Sequence, residues 1–386
     1  MTTSPQPLNL SSMPSPLNPS SPQPFSGVFS GKSVWISGHT GFKGSWLTLW
    51  LLRLGAKVHG FSLPPPTSPS LFEQLALQGA IHHEIGDIRD QQAVRSSIER
   101  AKPDFVFHLA AQPLVRLSYA EPAETFSTNI LGTVHVMEAL RHLPDRCAAV
   151  VVTSDKCYEN DESGKPFSEG DALGGRDPYS ASKAACEIVA AAYRDSFFSS
   201  SKVAVATARA GNVIGGGDWA RDRLVPDCIR ALSAGKTLQV RTPHAVRPWQ
   251  HVLEPLCGYL RLAQVLSSRN GQEFSAPFNF GPCWDSGLSV EEVVLRVLEF
   301  WPGAYEVVAQ KNAPPEAHLL RLSTEKAEAL LGWHPVWDYS ASIGKTLEWY
   351  RANEKQPASM RAFSERQIED YLLAASESGM LWKDLA

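Results

Sequence analysis

The stretch 32-KSVWISGHTGFKGSW-46 runs from an apolar segment into three glycines, Gly38, Gly41 and Gly44, spaced GxxGxxG. The apolar half reads as a buried strand, and WLTLWLLRLG after the glycines reads as a helix. Each glycine has its own task at such a junction. Gly38 permits the tight turn, Gly41 lets backbone approach a pyrophosphate, and Gly44 lets helix and strand pack closely. The exposed N–H groups of the helix N-terminus attract the phosphate charge. Strand, turn and helix together predict a dinucleotide loop.

Working outward, apolar runs recur at KVHGFSL, 104-DFVFHLAA-111, 148-AAVVVTSD-155 and 202-KVAVATAR-209. Helix-like stretches lie between them, around 121–141 and 181–198. This βα repetition predicts a Rossmann-type α/β fold, a doubly wound parallel sheet covered on both faces. After about residue 212 the spacing loosens into loops rich in Gly, Pro, Arg and Trp, with helical segments near 223–234, 289–300 and 323–331. The expected organisation is therefore a disordered tail over 1–27, a dinucleotide-binding domain over 28–211 and a smaller, loop-rich substrate domain over 212–386. The last of these allows for the chain crossing back to the sheet. The tail is assigned on composition, since its Ser and Pro leave little apolar surface to bury and it lacks the basic and apolar regions of a signal peptide.

With 386 residues, a net charge of -4 and a pI near 6.3, the chain has no global basic field for nucleic acid or an anionic membrane. No apolar run reaches the length of a membrane span. The six cysteines are scattered without metal-ligand spacing, which points to reduced packing residues of a cytoplasmic protein. His135, Glu138 and His142 share a helix face but lack a fourth ligand, so no metal is expected.

The second strand ends in His59-Gly60-Phe61-Ser62, where a dinucleotide fold normally carries an acid for the adenosine ribose. No Arg close by in sequence favours a 2′-phosphate, so the expected cofactor is NAD, with Ser62, His39 and Lys43 partly replacing the acid. Asp87, in 86-GDIRD-90, reads equally well as an adenine contact or as the N-cap of the following helix.

Two further segments carry chemistry. The strand 148-AAVVVTSD-155 ends by setting Ser154, Asp155 and Lys156 side by side, at the edge where α/β sheets collect ligands. In 177-DPYSASKAACEIVAAAY-193, Tyr179 and Lys183 stand four residues apart on one helix face. An ammonium beside a phenol favours phenolate, which makes Tyr179 a candidate base.

With these motifs in place, the chain resembles the extended short-chain dehydrogenase/reductases acting on nucleotide sugars, and among them the CDP-glucose 4,6-dehydratases. The matching segments include SGHTGFKGSW, FHLAAQPLVRLSY, TNILGT, VVTSDKCYEN, PYSASKAACE, ARAGNVIGGGDWARDRLVPD and VRPWQHVLEPLCGY, within a span from about Gly31 to Tyr350. The resemblance implies an NAD-dependent hydro-lyase that converts CDP-glucose to its 4-keto-6-deoxy derivative. It implies Ser154, Tyr179 and Lys183 for oxidation at carbon 4, Asp155 as the acid and Lys156 as the base of the elimination. Cofactor contacts would come from Gly38, His39, Gly41, Phe42, Lys43, Gly44, Ser62, Asp87, Ile88, Ala110, Ala111, Gln112, Asn129, Tyr179 and Lys183. Substrate contacts would come from Asn212, Arg223, Leu224 and Arg247. It also implies a homodimer or a dimer of dimers. The alternatives are a dehydratase for another nucleotide, a 4-epimerase, or a non-catalytic dinucleotide sensor.

Overall fold

The computed structural model describes residues 23–160, 162–282, 288–308 and 320–380. Seven parallel strands form one sheet: β1 (Ser33–Ser37), β2 (Lys57–Ser62), β3 (His82–Ile85), β4 (Phe105–His108), β5 (Cys147–Val152), β6 (Val203–Ala210) and β7 (Pro277–Phe280). Their order, β7-β6-β5-β4-β1-β2-β3, winds both ways from β1. The reversal between β1 and β4 opens a crevice at the carboxyl ends of the strands.

Side-chain alternation divides the sheet between two cores. Val34, Ile36, Phe105, Phe107, Val150 and Ala206 face one side, with Trp46 and Leu49 of α1 (Phe42–Arg53). Trp35, Val106, Ala149, Val151 and Val205 face the other, with Val94 and Ile98 of α2 (Gln91–Ala101) and Val136 and Leu140 of α3 (Gly132–Arg141). The catalytic helix α4 (Pro178–Tyr193) begins with Asp177 capping Ser180 N and with proline in its first turn. Two further helices follow, α5 (Leu224–Ser233) and α6 (Leu253–Leu266). Every residue of α6 is buried, so this helix is core on all sides.

The structure departs from the sequence reading in two places. The expected helix over 121–141 is broken into Pro122–Phe126, a wide π turn at Ser127–Leu131, and α3. The tail cannot extend to residue 27, because Pro24–Gly27 form a short turn and Phe25 is fully buried against Phe29 and Trp50. Residues 1–22 lie outside the described residues. As the sequence reading allowed, the chain returns to the sheet after its loop-rich part, where Pro277–Phe280 pair with Thr207–Ala210.

Candidate active site

The glycine loop does what its spacing requires. Gly38 has φ +75°, and a Cβ there would lie 2.7 Å from Ala110 N. A Cβ on Gly44 would lie 2.1 Å from Gly38 O, inside any real contact distance. A Cβ on Gly41 would meet only Gly38 O, at 3.4 Å, which leaves the N-terminus of α1 open to an incoming group. Ala110 N donates to Ser37 Oγ at 3.1 Å, tying β1 to the loop after β4. Phe42 is the first residue of α1, and Ala111 follows on the partly exposed rim.

The expected replacements for the ribose acid separate in space. Ser62 lies at the end of β2, its Oγ 2.8 Å from Thr40 Oγ1. His39 is fully buried beneath Gly60, its Nε2 2.7 Å from His83 Nδ1, and burial lowers its pKa to about 3. Lys43 points the other way, with Nζ 3.5 Å from Tyr259 OH of α6 and near the charges of Asp155, Lys183 and Arg223. Burial, first, and Arg223, second, lower its pKa to about 7.

Asp87 does not cap a helix. Asp90 caps α2 by accepting from Ala93 N, while Asp87 accepts from Arg89 N at 2.9 Å and pairs with the Arg89 guanidinium. Arg89 is also paired with Glu124. Ile88 packs in the core beneath Gly132. The side chains of Gln112 and Asn129 are spent within the protein. Asn129 Oδ1 accepts from Gln112 N at 2.8 Å, and its Nδ2 donates to Ser182 Oγ at 2.8 Å. Gln112 Nε2 donates to Thr125 Oγ1, and its Oε1 accepts from Leu114 N. Both residues therefore link the β4 loop to its neighbouring helices.

The strand-end trio and the helix pair do meet. Ser154 Oγ accepts from Lys156 N, so it caps the turn Asp155–Cys157, and it donates to Asp155 Oδ1 at 3.0 Å. Tyr179 lies close enough to Ser154 for that hydroxyl to favour its phenolate. Lys183 is buried and donates to Val152 O at 3.3 Å. Asp155 is 3 % exposed, and burial, the largest influence on it, raises its pKa. Lys156 beside it is partly buried. The Tyr179 phenol is pushed up to about 12, because burial outweighs the influence of the Ser154 hydroxyl and the charge of Arg223. The depression expected from Lys183 is not the governing influence in this arrangement.

On the far side of the crevice, Arg223 precedes α5, which begins at Leu224, and its Nη1 donates to Asp218 Oδ2 at 2.8 Å. Its charge reaches Tyr179. Asn212 follows β6 and accepts from Gln250 N through its backbone. Arg247 lies in the short pair formed by Val246–Arg247 and Leu288–Ser289, partly buried. Among the described residues no cluster of three or more His, Cys, Asp or Glu is placed to hold a metal. No helix among them is long and apolar enough to cross a membrane.

Sequence reasoning missed three contributors. Tyr259 carried no local signal, since only the fold brings α6 to Lys43. Gly211 had one in the segment RAGNV, and a Cβ there would lie 3.1 Å from Asp155 Oδ2. Glu187 had one in its spacing, four residues beyond Lys183 on the same helix face.

A doubly wound sheet, a glycine loop at its first βα junction, and Ser, Tyr and Lys converging at its carboxyl edge define an extended short-chain dehydrogenase/reductase. Comparison with known proteins narrows the class. The sequence profile described as GDP-mannose 4,6 dehydratase matches residues 35–346, and the chain belongs to that nucleotide-sugar dehydratase family. It is 47% identical over 352 residues to the CDP-glucose 4,6-dehydratase of Salmonella typhimurium, covering 90% of this chain and 98% of the relative. A dTDP-glucose 4,6-dehydratase of Xanthomonas campestris is 26% identical, over 83% of this chain and 93% of the relative. Among solved structures, the dTDP-glucose 4,6-dehydratase of Streptomyces venezuelae, crystallised with NAD, superposes with TM-score 0.71 at 22% identity, covering 83% of this chain and 98% of that one. An epimerase from Methanothermobacter thermautotrophicus shares the fold equally, with TM-score 0.73 at 22% identity over 86% and 95% of the two chains. Fold alone therefore does not separate dehydration from epimerisation.

Proposed function

We propose that this protein is a CDP-glucose 4,6-dehydratase that acts in the cytoplasm and uses NAD. The observation that carries the reading is the turn Ser154–Asp155–Lys156. It brings a buried carboxyl of raised pKa and an amine to the same edge as the Tyr179 and Lys183 pair. Oxidation alone needs only Ser154, Tyr179 and Lys183, so the added acid and base imply a second chemical step. The 47% identity to a CDP-glucose enzyme supports the choice of nucleotide.

The cofactor fits the residues present. Gly41 and the open N-terminus of α1 would receive the pyrophosphate, and the hydroxyls of Ser62 and Thr40 suit a free ribose better than a 2′-phosphate. When bound, NAD supplies the acceptor that takes hydride from carbon 4 of the sugar and gives it back at carbon 6. Tyr179, beside Ser154, takes the proton of the 4-hydroxyl, and the charge of Arg223 favours its phenolate. The 4-ketone acidifies the hydrogen on carbon 5, and Lys156 removes it and gives a proton back to carbon 5 as carbon 6 is reduced. Asp155, whose burial favours the protonated form, protonates the departing 6-hydroxyl, which leaves as water. Arg223 and Arg247 would hold the diphosphate through bidentate hydrogen bonds, with Asn212 and the backbone at Leu224 completing the grip.

The active form in this reading is a homodimer or a dimer of dimers. Phe126, Leu131 and Ile188 are 37%, 50% and 59% exposed on the helices flanking the sheet, an apolar surface a second copy would cover. Light scattering should return at least twice the 42.3 kDa chain mass, and a monomer mass would refute the dimer. The activity is tested by offering purified protein each nucleotide-glucose in turn. Alkali-induced absorbance of a 4-keto-6-deoxy sugar should appear with CDP-glucose, and a 4-epimer in its place would refute the reading.

A further inference from the structure

Behind the catalytic turn lies a buried ion pair that the reaction scheme leaves unused. Glu187 sits on α4, one turn after Lys183, and is 1 % exposed. Its carboxylate accepts from three groups: Thr153 Oγ1 at the end of β5, Thr207 Oγ1 on β6 at 2.7 Å, and Arg209 Nη2 on β6 at 2.8 Å. Arg209 in turn donates through Nη1 to Tyr158 OH at 2.7 Å and to Glu169 O at 3.3 Å. Tyr158 OH donates to Asn279 Oδ1 of β7 at 2.8 Å, and its ring stacks on Phe167 with centroids 4.8 Å apart.

The two ends of this network bracket one short segment. Thr153 immediately precedes Ser154, and Tyr158 immediately follows Cys157, so Ser154, Asp155 and Lys156 hang between two hydroxyls anchored on the same ion pair. Taking a carboxylate and a guanidinium out of water costs several kcal/mol that their attraction only partly offsets, so well-packed apolar residues would often serve stability as well. The pair also joins α4, which carries Tyr179 and Lys183, to the strand end that carries the acid and base.

We propose that Glu187, Arg209, Thr153 and Tyr158 are positioning residues, which hold the Ser154–Lys156 turn at the distance from α4 that the elimination step requires. The inference rests on the dehydratase reading above. Loosening either anchor frees the Asp155 and Lys156 side of the site while Tyr179 and Lys183 stay fixed on their helix. Removal of water, which needs both Asp155 and Lys156 in place, then slows more than removal of hydride, which keeps Tyr179 and Lys183 and loses only the support of Ser154.

The test uses Thr153→Val and Tyr158→Phe, each of which deletes one anchoring hydroxyl and leaves the Glu187–Arg209 pair in place. Wild-type protein is measured first on CDP-glucose. Failure to form the 4-keto-6-deoxy product would bring down the dehydratase reading, and the positioning role with it. With wild type active, each variant should lose about tenfold in kcat with KM changed by less than about threefold, since a displacement near 1 Å costs about 10² in rate and one of two anchors remains. Absorbance of bound reduced nicotinamide should rise above the wild-type level during turnover, because hydride leaves carbon 4 faster than it can return. Thr153→Ser, which keeps the hydroxyl, should restore both kcat and the low reduced fraction. A lowered melting temperature with unchanged kcat would show that the network serves folding only and would overturn the inference. A lowered kcat without build-up of reduced cofactor would place the effect on the first step and overturn it equally.

Discussion

Gly211 gives the sharpest handle on Asp155. A Cβ at this position would lie 3.1 Å from Asp155 Oδ2 and 3.2 Å from Pro248 Cγ, so the added methyl is caught between a carboxylate and a proline ring. Pro248 cannot rotate away, and its ring is fixed by the chain around it. The carboxylate must therefore give way by a few tenths of an ångström. If 1 Å of misplacement costs about 10² in rate, a third of that costs about fivefold, or ~1 kcal/mol of barrier. Gly211→Ala should accordingly lower kcat for the 4-keto-6-deoxy product about fivefold, with KM for CDP-glucose little changed. Overpacking by one methyl costs about 1–3 kcal/mol of stability, so circular dichroism should still show a folded protein. A Gly211→Ala enzyme with wild-type kcat, or with a loss confined to KM, would refute the placement of Asp155 in the reacting position.

Tyr179→Phe should abolish product and all reduction of the cofactor, whereas Asp155→Asn should slow product formation by about 10²–10⁴ and leave reduced nicotinamide accumulating when substrate is added. Absence of that accumulation in Asp155→Asn would assign the carboxyl to the first step. Gly44→Ala puts a Cβ 2.1 Å from the carbonyl oxygen of Gly38, which is backbone and cannot yield, so calorimetric titration should show loss of NAD binding; wild-type affinity would contradict the loop assignment. His39, His108 and His251 are buried, and burial is the leading cause holding the pKa of each near 3. Unfolded histidine titrates near 6.5, so below that pH the unfolded chain takes up protons that the folded chain refuses. Their contribution is complete above about pH 6.5 and is lost as pH falls, by up to ~1.4 kcal/mol per residue per pH unit. Urea midpoints should fall steeply from about pH 6.5 to 5 and less steeply in His251→Gln, and a flat profile would contradict the burial of these rings.

Local pattern carried the first βα junction, because glycine tolerance is a backbone property readable from spacing. The same is true of the buried strand that delivers Ser154 and of the helix face shared by Tyr179 and Lys183. Side-chain direction was less legible. Lys43 sits inside the glycine motif and was expected near the ribose, but the first turn of α1 aims it across the crevice at Tyr259. His39, one residue past Gly38, turns into the core instead. Gln112 and Asn129 lie in segments shared with nucleotide-sugar enzymes, yet their amides are consumed by each other and by Thr125 and Ser182. The chain beyond residue 350 offered no motif, although Tyr371 donates to the buried Glu254 of α6 and packs edge-on against Trp50 of α1. Such contacts join residues far apart in sequence, and no window of local periodicity contains both partners.

The central claim is that one hydride leaves carbon 4 of the sugar and returns to carbon 6 of the same molecule. CDP-glucose carrying deuterium at carbon 4 tests this directly, with the product's 6-methyl group examined by nuclear magnetic resonance after complete turnover. Deuterium should appear at carbon 6, one atom per product molecule. A 4-keto-6-deoxy product whose methyl group holds no deuterium, or recovery of a 4-epimer still labelled at carbon 4, would contradict it.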